Sequence, residues 1–245
     1  MTSSEVWTAE MARRYDAEDS GMFAPEVLGP TVELLAGLVG EGRALELAVG
    51  TGRVGVALAQ RGVPVVGIEL SEPMAAELRA KVDEATLPVL IGDMATTRAP
   101  GEFTLVYLVY NTISNLLTQD EQVACFVNAA AHLVPGGRFV IECGVPDLRR
   151  LPPGQLACPF DVTEEHLGFD TYDLANQLLV SHHFTREGDR YRRDAGTFRY
   201  AWPAEMDLMA RIAGLELEAR YSDWRRTPFT GDSTAHVSVW RRPES

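Results

Sequence analysis

The sequence is poor in several features that mark particular classes of protein. Its only cysteines, Cys125, Cys143 and Cys158, are odd in number and lack a C-x-x-C spacing, which argues against a disulfide framework and a zinc site. No apolar run approaches the length needed to cross a bilayer. The first residues also lack the basic-then-apolar order of a secretory signal. We therefore expect a cytoplasmic protein without a membrane partner.

Positive charge is also scarce. The net charge of −13 argues against nucleic acid as the main partner, because phosphate binding needs clustered cations. Of the 22 basic residues only Lys81 is a lysine, a bias that we attribute to a GC-rich genome and not to function. The 245 residues with 46% hydrophobic composition suffice for one large core. This predicts a single domain.

The first part of the chain alternates between two kinds of pattern, apolar β-branched runs and segments of helical spacing. Strands are predicted at 44–49, 64–69, 88–91, 103–109 and 138–142. Helices are predicted at 4–15, 25–39, 54–60, 72–83 and 120–133. This order predicts an α/β, Rossmann-like fold in which helices cover both faces of a parallel sheet.

The rhythm changes in the second part of the chain. Segments 177–185 and 190–202 alternate in strand fashion around the turn "EGDR", which predicts an antiparallel hairpin. A helix at 203–212 and strands at 215–221 and 236–241 follow. The expected organisation has four parts: N-terminal helices (1–40), a cofactor-binding half (41–145), an inserted antiparallel β cap (158–202), and the final helix and strands (203–245).

The stretch "ALELAVGTGRVG" places a glycine turn between the first strand and the next helix. Its Gly50, Gly52 and Gly55 fit the dinucleotide fingerprint G-x-G-x-x-G, which alone is a weak signal. Glu46 lies four residues earlier, where a carboxylate would oppose a pyrophosphate but attract an amino group or a sulfonium. This favours S-adenosylmethionine over NAD. A pairing of Glu46 with an arginine such as Arg53 is the alternative.

Acidic residues follow the next two predicted strands. Glu69 ends the second strand, where an acid can bind both ribose hydroxyls of an adenosine. Asp93, in "GDM", could accept a hydrogen bond from an adenine amino group while Met94 packs on the ring. A helix cap is the alternative for Asp93.

Together with "VVGIELS" and "LVPGGRFVIE", these motifs resemble class I S-adenosylmethionine-dependent methyltransferases of the small-molecule, natural-product type, over about residues 40–145. The resemblance implies a seven-stranded, mostly parallel sheet whose last strand is antiparallel. It also implies that Glu46, Gly50 and Gly52 lie near the methionine moiety, Glu69 at the ribose and Asp93 at the adenine. Arg53, Leu70, Met94 and Tyr110 complete the candidate cofactor set.

The catalytic candidates come from outside these motifs. Tyr15 belongs to a Tyr-Asp pair that resembles the N-terminal pair of small-molecule members, whose tyrosine commonly reaches the cofactor. His182 and His183 are predicted on opposite faces of one strand, and His236 begins the last strand. No cluster has the spacing of a metal site.

The expected function is S-adenosylmethionine-dependent methyl transfer to nitrogen or oxygen of a small molecule in secondary metabolism. Two alternatives stay open: an NAD-dependent oxidoreductase, and a non-catalytic protein that binds the cofactor for regulation. The sequence leaves the oligomeric state open as well, and a homodimer is compatible with it.

Overall fold

A computed structural model describes residues 8–18 and 20–244. Over these residues it contains six α-helices and eleven strands. The helices are α1 (Ala9–Glu18), α2 (Pro25–Val39), α3 (Arg53–Gln60), α4 (Glu72–Arg79), α5 (Gln119–His132) and α6 (Pro203–Ile212). The strands are β1 (Ala44–Leu47), β2 (Val65–Glu69), β3 (Val89–Ile91), β4 (Phe103–Leu108), β5 (Leu133–Gly144), β6 (Ala157–Val162), β7 (His166–Asp173), β8 (Leu178–Glu187), β9 (Arg190–Arg199), β10 (Glu216–Tyr221) and β11 (Ala235–Arg241).

The main sheet has seven strands in the order β10-β11-β5-β4-β1-β2-β3. Strands β1 to β5 run parallel, and β11 lies antiparallel between β5 and β10. The predicted fold class is thereby confirmed, including the antiparallel last strand. Because the parallel strands share one direction, the segments that follow β1, β2, β3, β4 and β5 meet at one edge, where open α/β sheets bind their ligands.

Apolar side chains cover both faces of this sheet. On one face, Leu35 of α2, Leu58 of α3 and Leu78 of α4 are fully buried in one hydrophobic cluster. On the other face, Phe126 of α5 packs edge-to-face against Trp240 of β11, again without exposure. Fully burying such side chains contributes about 1.5–3 kcal/mol each. This packing stabilises the sheet and so holds the loops at its carboxyl edge in position.

Local signals set the starts of the helices. Thr118 and Glu121 form a capping box at α5, and the Ser71 hydroxyl accepts a hydrogen bond from the backbone N–H of Met74 at 3.3 Å in α4. α1 begins and ends later than predicted, and residues 4–7 of its predicted span lie outside the described residues. No helix within residues 8–18 and 20–244 is long and apolar enough to cross a membrane.

A separate antiparallel sheet, in the order β6-β7-β8-β9, follows the parallel half. The predicted hairpin is present as β8 and β9, but β6 and β7 are additional strands that the sequence analysis missed. The correction has a physical reason, because Pro159 in β6 and Gly168 in β7 are residue types that disfavour a strand prediction. We call this four-stranded sheet the cap.

A buried polar cluster joins the cap to the rest of the molecule. Arg199, at the end of β9, donates to Gln122 of α5 at 2.5 Å and to Glu205 of α6 at 2.7 Å. Gln122 returns a hydrogen bond to the Arg199 carbonyl oxygen at 3.2 Å. Gln177, just before β8, donates to the Glu205 carboxylate at 2.7 Å. This polar cluster attaches the cap to α5 and α6.

Candidate cofactor and acceptor site

The glycine loop between β1 and α3 contains three residues with positive φ. Gly50 (φ 58°) and Gly52 (φ 86°) adopt this conformation readily, whereas Ala48 (φ 53°) carries a Cβ there. A left-handed conformation costs a non-glycine residue roughly 1 kcal/mol, so the turn is strained. A Cβ at Gly52 would meet Val56 at 2.9 Å, but one at Gly50 would have only Met74 nearby, at 3.6 Å. The Gly50 side of the loop is therefore open for a close ligand approach.

Glu69 ties the end of β2 to this loop. One carboxylate oxygen accepts a hydrogen bond from the Gly50 backbone N–H, and the other accepts one from the Ser71 N–H, each at 2.8 Å. Burial raises the pKa of Glu69, and the two N–H donors oppose that rise. Each carboxylate oxygen has more than one acceptor site. A ribose with two hydroxyl donors fits this group.

Glu46 is buried within β1, the strand that precedes the loop. Its carboxylate accepts the Tyr107 hydroxyl at 2.9 Å, and a Cβ at Gly55 in α3 would fall only 2.6 Å from Oε2. Burial raises the pKa of Glu46 to about 8. Gly55 thus provides room for this carboxylate and donates its backbone N–H to it, so Glu46 ties β1 to the first turn of α3.

The Arg53 charge opposes the rise that burial causes in the pKa of Glu46, so the two residues interact as the suggested alternative requires, and Arg53 makes a second contact as well. The Arg53 guanidinium lies over the ring of Tyr110, 5.3 Å from its centroid, as in a cation–π pair. Arg53 starts α3 and Tyr110 follows β4, so this contact brings two of the candidate residues together across the sheet edge.

The predicted adenine residues follow β3. The Asp93 carboxylate accepts a hydrogen bond from the Ala95 backbone N–H at 2.7 Å within a turn at residues 94–96. No helix begins within the described residues 92–102 between β3 and β4, so this contact is not the helix cap that the sequence left as its alternative. Met94 is buried in the cluster on the α5 face, so its side chain packs in the core. Leu70 directly follows Glu69 and is partly buried.

A strained turn follows β4. Tyr110 (φ 58°) and Asn111 (φ 60°) are consecutive non-glycine residues with positive φ. Glu142, near the end of β5, accepts the Tyr110 backbone N–H at 2.9 Å and the Trp224 indole N–H at 2.7 Å. The Asn111 side chain accepts the Gly144 N–H at 2.6 Å. Strained non-glycine residues that neighbouring groups hold in place cluster at functional sites.

The sequence analysis did not select Glu142 or Trp224 as site residues. Glu142 was only the last residue of a predicted strand, and Trp224 belongs to no motif. The position of Glu142 at the carboxyl end of a parallel strand is the one signal that could have identified it.

α1 borders the glycine loop. The Thr51 hydroxyl donates to the Asp16 carboxylate of α1 at 2.5 Å. Tyr15, the neighbour of Asp16, is partly buried. The helix that carries Tyr15 is therefore fixed to the loop that carries Gly50 and Gly52.

The histidine candidates lie in different surroundings. His182 stacks on Phe169 and pairs with Thr171. His183 takes part in a chain across the cap face, from Asp161 through His166 and His183 to Ser181, with hydrogen bonds of 2.7, 3.0 and 3.1 Å. All the contacts described for these two histidines lie within the cap.

His236 is fully buried in β11, where its Nδ1 lies 2.8 Å from the Ser238 hydroxyl. Burial, together with the nearby charge of Arg220, lowers the pKa of His236 to about 4. Such an enclosed, weakly basic imidazole is poorly suited to take a proton from an acceptor. The surroundings therefore correct the prediction of a base at this position.

A cavity of about 280 Å³ opens just beyond β5. It lies between the segment after Gly144, the residue before α6 and the loop that precedes β11. Its lining consists of residues 145–149, Trp202, Gly231, Ser233 and Thr234. The cavity thus adjoins the same edge of the sheet as Glu142.

Comparisons with known proteins agree on one family. A family model described as a methyltransferase domain matches residues 44–137. The structure is similar to that of the CcbJ methyltransferase from Streptomyces caelestis, with a TM-score of 0.80 and 37% sequence identity over 88% of this chain and 89% of that chain.

Two further relatives have informative names. Cypemycin N-terminal methyltransferase from a Streptomyces species is 27% identical over 201 residues, which cover 81% of this chain and 82% of the relative. The S-adenosylmethionine-bound structure of CalS10, an amino pentose methyltransferase from Micromonospora echinaspora, has a TM-score of 0.72 and 21% identity, covering 93% of this chain and 96% of that chain.

Proposed function

The chain belongs to the class I S-adenosylmethionine-dependent methyltransferases, and on this premise we propose that it methylates an amine nitrogen of a small molecule of secondary metabolism. The membership answers the question that the glycine turn raised, because the cofactor is S-adenosylmethionine and not NAD. Bound S-adenosylmethionine supplies a sulfonium methyl group for transfer in line with the attacking atom. The protein's tasks are to hold the reactants in line and to exclude water.

The proposed cofactor site is the open side of the glycine loop. Glu69 receives the ribose hydroxyls, and Gly50 allows close approach of the ligand to the backbone. Glu46 links β1 to Tyr107 of β4 and to the Gly55 N–H in the first turn of α3, and so supports the elements on either side of the loop. Asp93, Leu70 and Tyr110 border the same edge of the sheet.

The cofactor site can be tested without turnover. We expect Glu69→Gln to weaken binding of S-adenosylhomocysteine by about 10- to 150-fold, which corresponds to a charged hydrogen bond worth about 1.5–3 kcal/mol. Isothermal titration calorimetry measures this change. Glu72→Gln, an exposed change three residues further along the chain, is the matched control. Equal affinity in Glu69→Gln and wild type would place the ribose elsewhere.

One observation carries the choice of an amine, the placement of Glu142 between Tyr110 and Trp224. The Glu142 carboxylate attracts an ammonium group by ion pairing, and the Trp224 ring beside it adds a cation–π contact, whereas Tyr110 meets Glu142 through its backbone N–H. An amine acceptor has to lose its proton before it attacks, whereas a hydroxyl acceptor needs a base during the transfer. The low pKa and burial of His236 argue against that second case. Two relatives are also named for methyl transfer to an amino pentose and to the N-terminus of cypemycin.

An acceptor panel tests this proposal. Purified protein is incubated with methyl-labelled S-adenosylmethionine and matched pairs of acceptors: amino sugars with their hydroxyl analogues, and short peptides with free or acetylated N-termini. We expect label transfer to the free amines alone. Transfer only to hydroxyl analogues would overturn the choice of nitrogen. Cofactor binding without transfer to any compound of a cell extract would favour the non-catalytic alternative.

The rest of the acceptor is proposed to occupy the cavity beyond β5, which Trp202 and Leu148 make partly apolar.

We further propose that the protein is cytoplasmic and that it forms a homodimer through the cap. One face of the cap presents the row Val162, Leu167 and Phe184 across three strands. Val162 is 73% exposed and Leu167 is 38% exposed. An apolar row of this kind on a sheet surface is typical of an association site.

A further inference from the structure

The only lysine of the chain, Lys81, joins three segments beside the glycine loop. Its ammonium group forms an ion pair with Asp16 of α1. It also donates a hydrogen bond to the Thr51 carbonyl oxygen at 2.9 Å. Its third neighbour is the ring of Phe23, whose centroid lies 5.5 Å away in the short helix Ser20–Phe23. One side chain thus links both N-terminal segments to the loop.

A second contact closes this arrangement into a triangle. The Thr51 hydroxyl donates to the other carboxylate oxygen of Asp16 at 2.5 Å. Thr51 itself is almost fully buried, at 2% exposure. Asp16, Thr51 and Lys81 therefore satisfy one another, and any movement of α1 away from the loop breaks two of their three contacts.

The chemistry of lysine suits this position. Its ammonium has three donors at the end of a flexible four-carbon stem. Here those donors serve a carboxylate and a carbonyl oxygen while the charge faces an aromatic ring. A neutral residue of the same length could fill the space but could not hold the Asp16 carboxylate.

We propose that Lys81 is a positioning residue that latches α1 over the bound cofactor. The inference rests on the proposal that the glycine loop holds S-adenosylmethionine. α1 contacts that loop at Thr51, the residue next to Gly50, and so borders the open side of the loop where the ligand is proposed to bind. The latch favours the closed arrangement, which raises cofactor affinity chiefly by slowing dissociation. The single lysine thereby has a function that composition alone did not indicate.

The first test removes the charge. We expect Lys81→Met to raise the Kd of S-adenosylhomocysteine about tenfold, mostly through faster dissociation, and to leave kcat at saturating cofactor within about twofold of wild type. Lys81→Arg keeps the ion pair and should restore most of the affinity. The matched control is Arg138→Met, because the Arg138–Glu218 pair, with side-chain exposures of 29% and 34%, resembles the Lys81–Asp16 pair, at 31% each.

The second test uses the wild-type protein and so does not depend on how a variant folds. Because Lys81 is the only lysine, it is the only side-chain amine that an acetylating reagent can modify. We expect S-adenosylhomocysteine to slow acetylation of Lys81, followed by mass spectrometry, at least several-fold. Asp16→Asn should speed acetylation in the absence of the ligand.

The outcomes separate the latch from the site on which it acts. An unchanged Kd in Lys81→Met, or the same acetylation rate with and without ligand, overturns the latch. If Glu69→Gln weakens binding while Lys81→Met does not, the cofactor site stands and the latch fails. If neither variant changes binding, both assignments are wrong.

Discussion

At the scale of single residues, the buried carboxyl group of Glu46 makes stability depend on pH. In the unfolded chain it ionises near its ordinary pKa of 4.5, whereas burial raises the pKa in the folded protein to about 8. Between these two values the folded state keeps a proton that the unfolded state has lost. Raising the pH through this window therefore favours unfolding, by up to about 1.4 kcal/mol per pH unit.

We predict that Glu46→Gln weakens this dependence. Urea denaturation of the cofactor-free protein from pH 5 to pH 8 should give a falling free energy of unfolding in the wild type and a flatter profile in the variant. Glu69, whose pKa is also raised by burial, is present in both proteins, but its charge also raises the pKa of Glu46, so the variant should keep a smaller residual slope. Glu218→Gln, at a partly exposed carboxylate, should leave the wild-type slope unchanged. An undiminished slope in Glu46→Gln would contradict the prediction.

At the scale of elements, the attachment of the cap depends on one buried arginine. Arg199 is 4% exposed and pairs with Glu205, which also accepts hydrogen bonds from Gln177 and Gln119. Removing the arginine leaves a carboxylate in a largely enclosed position and deprives Gln122 of its donor. Breaking a buried pair in this way costs about 3–5 kcal/mol.

Arg199→Met should therefore lower the free energy of unfolding by several kcal/mol and speed proteolysis within residues 157–199. The control is Arg186→Met in the same sheet, because Arg186 forms ion pairs of 3.9 and 3.7 Å with the exposed carboxylates of Glu164 and Glu165. Exposed pairs contribute about 0–1 kcal/mol. Similar losses of unfolding free energy in the two variants would show that the buried Arg199 pair contributes no more than an exposed pair.

The elements also differ in how far the sequence foretells them. The parallel half follows from the alternation of buried strands and capped helices, and both faces of the sheet are packed as that pattern requires. β6 and β7 escape prediction because a proline and a glycine interrupt them. In the structure β6 pairs with β7, and β7 pairs with β8 across the short connection 174–177, so both strands are held by the ladder and not by an uninterrupted strand pattern of their own.

The candidate site divides in a similar way. The glycine loop and Glu69 are local motifs, so their positions follow from the sequence. The contacts of Glu142 with Trp224, and of Lys81 with Asp16, join distant parts of the chain. Only the fold brings such pairs together, and composition made Lys81 look incidental.

At the scale of the whole molecule, the exposed row on the cap predicts self-association. We expect sedimentation equilibrium to show a concentration-dependent dimer in the wild type. Leu167→Arg should shift the protein to monomer, because two arginines would face each other across a two-fold interface. Leu208→Arg, on the exposed face of α6, is the control. A wild type that stays monomeric at every concentration would remove the dimer from the proposal.

The sheet order also constrains how the molecule is made. β11 lies between β5 and β10, yet it follows every other described strand in the chain. Until β11 has been synthesised, one edge of β5 therefore has no strand to pair with. The Phe126 and Phe139 rings likewise lack Trp240, against which they pack in the folded protein. Such an edge can pair with other chains. The interval before β11 emerges from the ribosome is thus when a nascent chain is most exposed to aggregation.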